Sequence, residues 1–130
     1  MGKYLIDNNV ISHYFSSFYT ENGMNFIGEI LDKTPNISVI TEIEALSWIN
    51  PDPQKENIVK NFISESVIIQ LSPEIVKKCI EIRRTNKIKT PDAIIAATAI
   101  IYKYILISSD KGFENIKGLK VLNPIEMYNN

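Results

Sequence analysis

Residues 90–113 read TPDAIIAATAIIYKYILISSDKGF, and the fold is decided there. The first half has helical period. Ile94, Ile95, Thr98, Ile101 and Tyr102 make one broad apolar face, while Ala96, Ala97 and Ala99 allow close approach of a neighbour. Thr90-Pro91-Asp92 opens this helix with an N-cap, a first-turn proline and an acid beside the positive helix end. The second half, Tyr104–Ser108, is a short apolar run that reads as a buried strand and ends near Asp110. The greasiest part, Ala93 to Ile107, contains Lys103 and falls short of the roughly 20 apolar residues that span a bilayer. A buried helix feeding a buried strand belongs to a parallel sheet.

The same alternation extends outward in both directions. Strands are expected at Lys3–Ile6, Asn36–Ile40, Val67–Leu71, Tyr104–Ser108 and Leu119–Leu122. Helices are expected near 8–19, 24–33, 42–50, 54–65, 73–87 and 92–103, with a last one at 124–129. Thr34-Pro35 and Pro51-Asp52-Pro53 mark breaks, and Ser72-Pro73-Glu74 repeats the cap signature. Strands separated by helices imply an α/β protein with a parallel sheet covered on both faces.

The chain has 130 residues, 45% of them hydrophobic, which is material for one core and one domain over 1–130. One cysteine excludes an internal disulfide framework, and no Cys-x-x-Cys is available for zinc. No targeting segment or membrane anchor is visible, so a cytoplasmic, membrane-independent protein is expected. The net charge of −1 excludes a generic basic nucleic-acid binder.

Four acids occupy related places. Asp7 follows YLI, Glu44 lies one turn after ISVI, Asp92 opens the alanine-rich helix, and Asp110 follows LISS. In an open parallel sheet, ligands bind beyond the carboxyl ends of the strands, so these acids should converge on one rim. Each has a local explanation. Asp7 and Asp110 can be N-caps, Thr41-x-x-Glu44 is a capping box, and Asp92 suits a first helical turn. Together they demand more, because crowded carboxylates repel unless a cation neutralises them. Oxygen ligands of this kind select Mg²⁺ or Mn²⁺.

With these motifs in order, the chain resembles the PIN-domain nucleases, and among them the VapC-like toxins of bacterial toxin–antitoxin pairs. The matching stretches are YLIDNNVIS, ISVITEIEAL, TPDAIIAATAI and LISSDKGFENIKGLKVLNP. The resemblance implies a three-layer α/β/α fold with a parallel sheet of about five strands. It implies a Mg²⁺- or Mn²⁺-dependent endoribonuclease that leaves a 5′-phosphate and a 3′-hydroxyl. Asp7, Glu44, Asp92 and Asp110 match its acids. Asn9 matches a residue that orients the first aspartate, and Ser108 one that supports the last acid. Asn8 stands where the family usually has threonine, and Glu42 is a rival to Glu44. A cognate antitoxin and a homodimer are the partners implied, with RNA as substrate.

Setting the four acids aside leaves 11 acidic against 14 basic residues, a balance of +3. Arg83, Arg84, Lys87 and Lys89 precede Asp92 and read either as phosphate contacts or as a solvated helix end. His13 reads as structural or exposed. Trp48 shares a helical face with Glu44 and reads as core or interface, with stacking on an unpaired base as the sharper option. Tyr14, Phe15, Phe18 and Tyr19 form an aromatic band suited to core packing or to a partner helix. Two other readings compete: a phosphatase or receiver-like domain, which wants a second acid at position 8, and a PIN-like fold used only for binding. A housekeeping RNA-processing nuclease is a third use of the same site.

Overall fold

The protein, described by a computed structural model over residues 3–126, is built on a five-stranded sheet. Its strands are β1 (Tyr4–Ile6), β2 (Asn36–Ser38), β3 (Val67–Ile69), β4 (Ile105–Ile107) and β5 (Val121–Leu122). Their spatial order is β3-β2-β1-β4-β5, and every neighbouring pair is parallel. The helices are α1 (Asn8–Phe15), α2 (Glu21–Asp32), α3 (Val39–Ser47), α4 (Pro53–Ser64), α5 (Pro73–Thr85) and α6 (Thr90–Tyr102).

Strand alternation distributes these helices over two faces. Leu5 and Leu106 point to one side and pack with Ile75, Cys79 and Ile82 of α5 and Ala93, Ala96 and Ala97 of α6. Ile6, Ile37 and Ile107 point to the other and pack with Val10 and Ile11 of α1, Ile27 of α2 and Ile63 of α4. The result is the expected α/β/α sandwich, with α6 almost wholly buried along one flank.

The winding places a crevice. From β1 the chain moves outward to β2 and β3, then crosses back through α5 and α6 to β4 and β5. The strand order therefore reverses between β1 and β4, whose registers are Tyr4 to Ile105, Leu5 to Leu106 and Ile6 to Ile107. Connections leaving those two strands diverge and open a cleft beyond their carboxyl ends.

Several expected boundaries shift for identifiable reasons. Helix 8–19 ends at Phe15, because Ser17 takes a positive φ of 53° and the chain turns back. Helix 24–33 begins at Glu21, capped by the Thr20 hydroxyl on the Gly23 amide. Strand Asn36–Ile40 stops at Ser38, whose hydroxyl caps α3 at Ile40 N. Thr41 is thus inside the helix, not at a capping box, and it is fully buried. Thr90 is the first helical residue rather than the cap of α6, and the Lys89 cap position makes no side-chain hydrogen bond. Pro124–Glu126 forms one 3₁₀ turn, and the remainder of the expected helix 124–129 lies outside the described residues. Ser72 does cap α5, with Pro73 in its first turn. Among the described residues no helix is long and apolar enough to cross a membrane.

Candidate active site

Asp7 is the first residue beyond β1, in the cleft mouth, and only 6% exposed. Its Oδ1 accepts from the Asn8 amide at 2.9 Å, which caps α1. Its Oδ2 accepts from the Ser108 hydroxyl at 2.8 Å. The same Ser108 oxygen accepts from the Asp110 amide at 3.1 Å. One side chain at the end of β4 therefore ties the first acid to the loop that carries the last. Asp110 is exposed, and its Oδ1 caps the 3₁₀ turn Lys111–Phe113 by accepting from Gly112 N at 2.8 Å. Both aspartates thus serve as helix caps.

Asp92 is in the first turn of α6 and half-buried; Glu44 is in α3 and exposed. The four acids are electrostatic neighbours. Burial raises the Asp7 carboxyl to about 6 against the hydrogen bonds from Ser108 and Asn8, and the charges of Asp92 and Asp110 add to the rise. Burial, then Asp7 and Asp92, lift Glu44. Burial, then Asp110, lift Asp92, while Lys89 pulls it down. Burial first, and then one another's charges, hold Asp7, Glu44 and Asp92 above the ordinary carboxylate range.

Glu42 and Glu44 separate cleanly. Glu44 lines a cavity of about 400 Å³ with Ile11, Phe15, Trp48, Ile58 and Val59. Glu42 faces a different groove, with Leu46, Lys60 and Ile68. Glu44 feels the charges of Asp7 and Asp92. Asn9 is not among the hydrogen-bond partners of Asp7; its Oδ1 is buried without a partner. The orienting contacts on Asp7 come from Ser108 and the Asn8 backbone instead.

The basic residues divide as well. Lys89 lies near enough to Asp92 to lower its pKa. Arg83 and Arg84 line an apolar groove with Leu71, Val76, Ile80 and Ile94, and the Arg83 Nε donates to Ile88 O at 3.2 Å. Lys87 is exposed. Trp48 is 64% exposed, so the core half of its expected role is wrong: it closes α3 on the surface, beside the Glu44 cavity. His13 is half-buried and stacks on Phe18 at 4.4 Å.

The donor set fits a hard divalent cation: four carboxylates, all oxygen, with a neutral hydroxyl behind the most buried one. Among the described residues, no group of three or more His, Cys, Asp or Glu stands close enough to hold an ion without adjustment. Asp7 is fixed by its hydrogen bonds and Asp110 by its cap on Gly112, whereas Glu44 and Asp92 reach solvent.

The sequence gives no direct sign that Tyr19 comes near Asp7. Burial and the Asp7 charge push the Tyr19 phenol up to about 12.

A family model described as PIN domain matches residues 4–119. Among solved structures, a toxin-antitoxin complex from Klebsiella pneumoniae is 29% identical, with TM-score 0.74, over 95% of this chain and 98% of that one. VapBC2 from Rickettsia felis, bound to a DNA fragment from its promoter, is 22% identical, with TM-score 0.75, over 92% and 97%. DNA-bound VapBC from Salmonella typhimurium is 19% identical, with TM-score 0.77, over 95% and 99%. The last two share the fold. No curated protein sequence matches the chain.

Proposed function

This chain belongs to the PIN domain family, and from that premise we propose that it is a metal-dependent endoribonuclease, the toxin of a toxin–antitoxin pair. The observation that carries the proposal is the buried Asp7 carboxyl, raised to about 6 with the charges of Asp92 and Asp110 against it. A cluster of that kind at a strand-order reversal is suited to a cation and a phosphate, and ill suited to stability alone.

Asp7 and Asp92 would hold Mg²⁺ or Mn²⁺, with Glu44 and Asp110 completing the shell directly or through water. Bound there, the cation supplies water activation and screening of the scissile phosphate. The chain supplies the rest. Ser108 fixes the Asp7 carboxylate by its hydroxyl proton and holds the Asp110 loop by its lone pair. Glu44 or Asp110 would accept the proton from the attacking water. Lys89 steadies a substrate phosphate beside Asp92. The products are a 5′-phosphate and a 3′-hydroxyl.

The partner fits the cavity between α1, α3 and α4. Ile11, Phe15, Trp48, Ile58 and Val59 make an apolar bed, and Glu44 lines the same space. An antitoxin helix laid there covers apolar surface and blocks an acid of the site at once. The likeness to a toxin-antitoxin complex from Klebsiella pneumoniae supports an antitoxin as the partner. Exposed Val76 and Ile80 on α5 support a homodimer through that face. The protein would act in the cytoplasm, without a membrane.

Expression in a bacterium, wild type against Asp7→Asn, tests the reading when growth and RNA integrity are followed together. Growth arrest and RNA cleavage with the wild type alone are expected. Equal arrest by both would remove Asp7 from the chemistry, and intact RNA with both would leave a binding domain.

A further inference from the structure

The cavity beside Glu44 is more than an apolar bed. It opens between α1, α3 and α4, holds about 400 Å³, and adjoins the acids at two points: Glu44 lines it, and so does Asn8, the residue after Asp7. That volume lies in the range of small-ligand sites. Two aromatic rings form part of its wall, and they differ in their support. Phe15 is held edge-on by Tyr14 at 5.3 Å and by Phe62 at 5.9 Å. Trp48 makes no ring contact with any described aromatic and is 64% exposed. The fold thus leaves its largest flat ring in water at the edge of the acidic site.

Polar groups surround these rings. Asn8, Ser12 and Lys55 line the cavity, and among the described residues no side-chain hydrogen bond or ion pair engages them. Asn50 Oδ1 accepts from Asp52 N at 2.9 Å, which leaves the Asn50 amide donors unengaged. Flat rings edged by free amide, hydroxyl and ammonium groups match a nucleobase. The rings take its π-face, and the polar groups take its hydrogen-bonding edge.

The two faces of the sheet give the site a direction. Helices α1 and α4 cover the face of Ile6 and Ile107, whereas α6, with Lys89 at its cap and Asp92 in its first turn, covers the face of Leu5 and Leu106. The acids at the cleft mouth therefore stand between a basic flank and an aromatic one.

We propose that the cavity is a substrate subsite: it takes one unpaired base of an RNA strand, stacked on Trp48, while a backbone phosphate of the same strand lies over the acids. The proposal deepens the nuclease reading and rests on it. It narrows the substrate to single-stranded segments, because a base paired in a duplex presents neither its faces nor its pairing edge. An antitoxin helix on the same bed excludes that base, so inhibitor and substrate compete.

Trp48 is the only tryptophan in the chain, so its fluorescence reads the subsite directly. The full chain in chelator and low salt is titrated with a short unstructured RNA strand, with the same strand in a duplex, and with a base-free ribose-phosphate strand. Saturable quenching by the single strand alone is expected. Trp48→Ala, followed by the anisotropy of an end-labelled strand, should bind about 10-fold more weakly, in the range of one lost stacking contact. Trp48→Phe keeps a ring and should retain most of the affinity. Absence of quenching by the single strand, equal quenching by the duplex or the base-free strand, or unchanged affinity in Trp48→Ala would overturn the proposal. Failure of the nuclease reading looks different: the quenching persists, and the wild type in Mn²⁺ leaves the RNA intact.

Discussion

Replacing Asp7 with asparagine should make the metal-free protein more stable near neutral pH while destroying its activity. The carboxyl is 6% exposed, and its pKa is raised from 3.8 to about 6. At about 1.4 kcal/mol per pH unit, that difference corresponds to about 3 kcal/mol. The sign follows from linkage. A carboxyl whose folded pKa is raised favours folding fully below pH 3.8, where it is protonated in both states. That contribution is lost as pH rises from there through about 6. Above that range the folded state carries a buried charge. Asparagine carries none, and its amide can keep both contacts: Oδ1 accepts from Asn8 N, and Nδ2 donates to Ser108 Oγ. Allowing for imperfect rebonding of Ser108, which also serves the Asp110 amide, the net gain is about 1–3 kcal/mol. For a chain of this size that is roughly 5–10 °C of melting temperature. The assay is thermal unfolding from acid to neutral pH, in chelator and in Mn²⁺. In chelator the wild type should lose stability across that window, and Asp7→Asn should show a smaller loss. In Mn²⁺ only the wild type should recover. A variant less stable than wild type at neutral pH in chelator would refute the reasoning, because Asp7 would then be a stabilising cap and not a strained ligand.

Other outcomes follow from the same geometry. Glu44→Gln should lower RNA cleavage by roughly 100-fold or more, whereas Glu42→Gln, which faces the Lys60 groove, should leave it unchanged; parallel cleavage assays check both. Ser108→Ala leaves Asp7 Oδ2 and the Asp110 amide without their shared partner, and chemical denaturation should show a loss of about 1–3 kcal/mol. Trp48→Ala should spare folding, since the ring is 64% exposed, and weaken antitoxin binding by about 2 kcal/mol or more, as calorimetry would read. Lys89→Ala should reduce the salt slope of RNA binding by about 1.

The elements were legible because each obeys one strong local rule. The apolar period of 92–103 and the β-branched run before Asp110 made α6 and β4 plain, and the observed Thr90–Tyr102 and Ile105–Ile107 differ only at their ends. What failed was cap chemistry in crowded stretches. Thr41-x-x-Glu44 has capping-box spacing, but Ser38 caps first, and Thr41 turns into the interior. Trp48, read as core or interface on the face it shares with Glu44, is left outside because α3 ends there. The proximity of the acids could be argued in advance from the carboxyl ends of the strands, whatever their order. The burial of Tyr19 could not, since it arrives through a turn at Ser17 that no helical period foretells.

The central claim is that Asp7 and its three acidic neighbours close around one cation. It is tested most directly by crystals grown with Mn²⁺ and measured for its anomalous signal. The account predicts a peak at about 2.1 Å from carboxylate oxygens of Asp7 and Asp92, with Glu44 and Asp110 on the same ion or its waters. A strong peak elsewhere with these four side chains apart, or no peak at the mouth of the β1–β4 cleft, would contradict it.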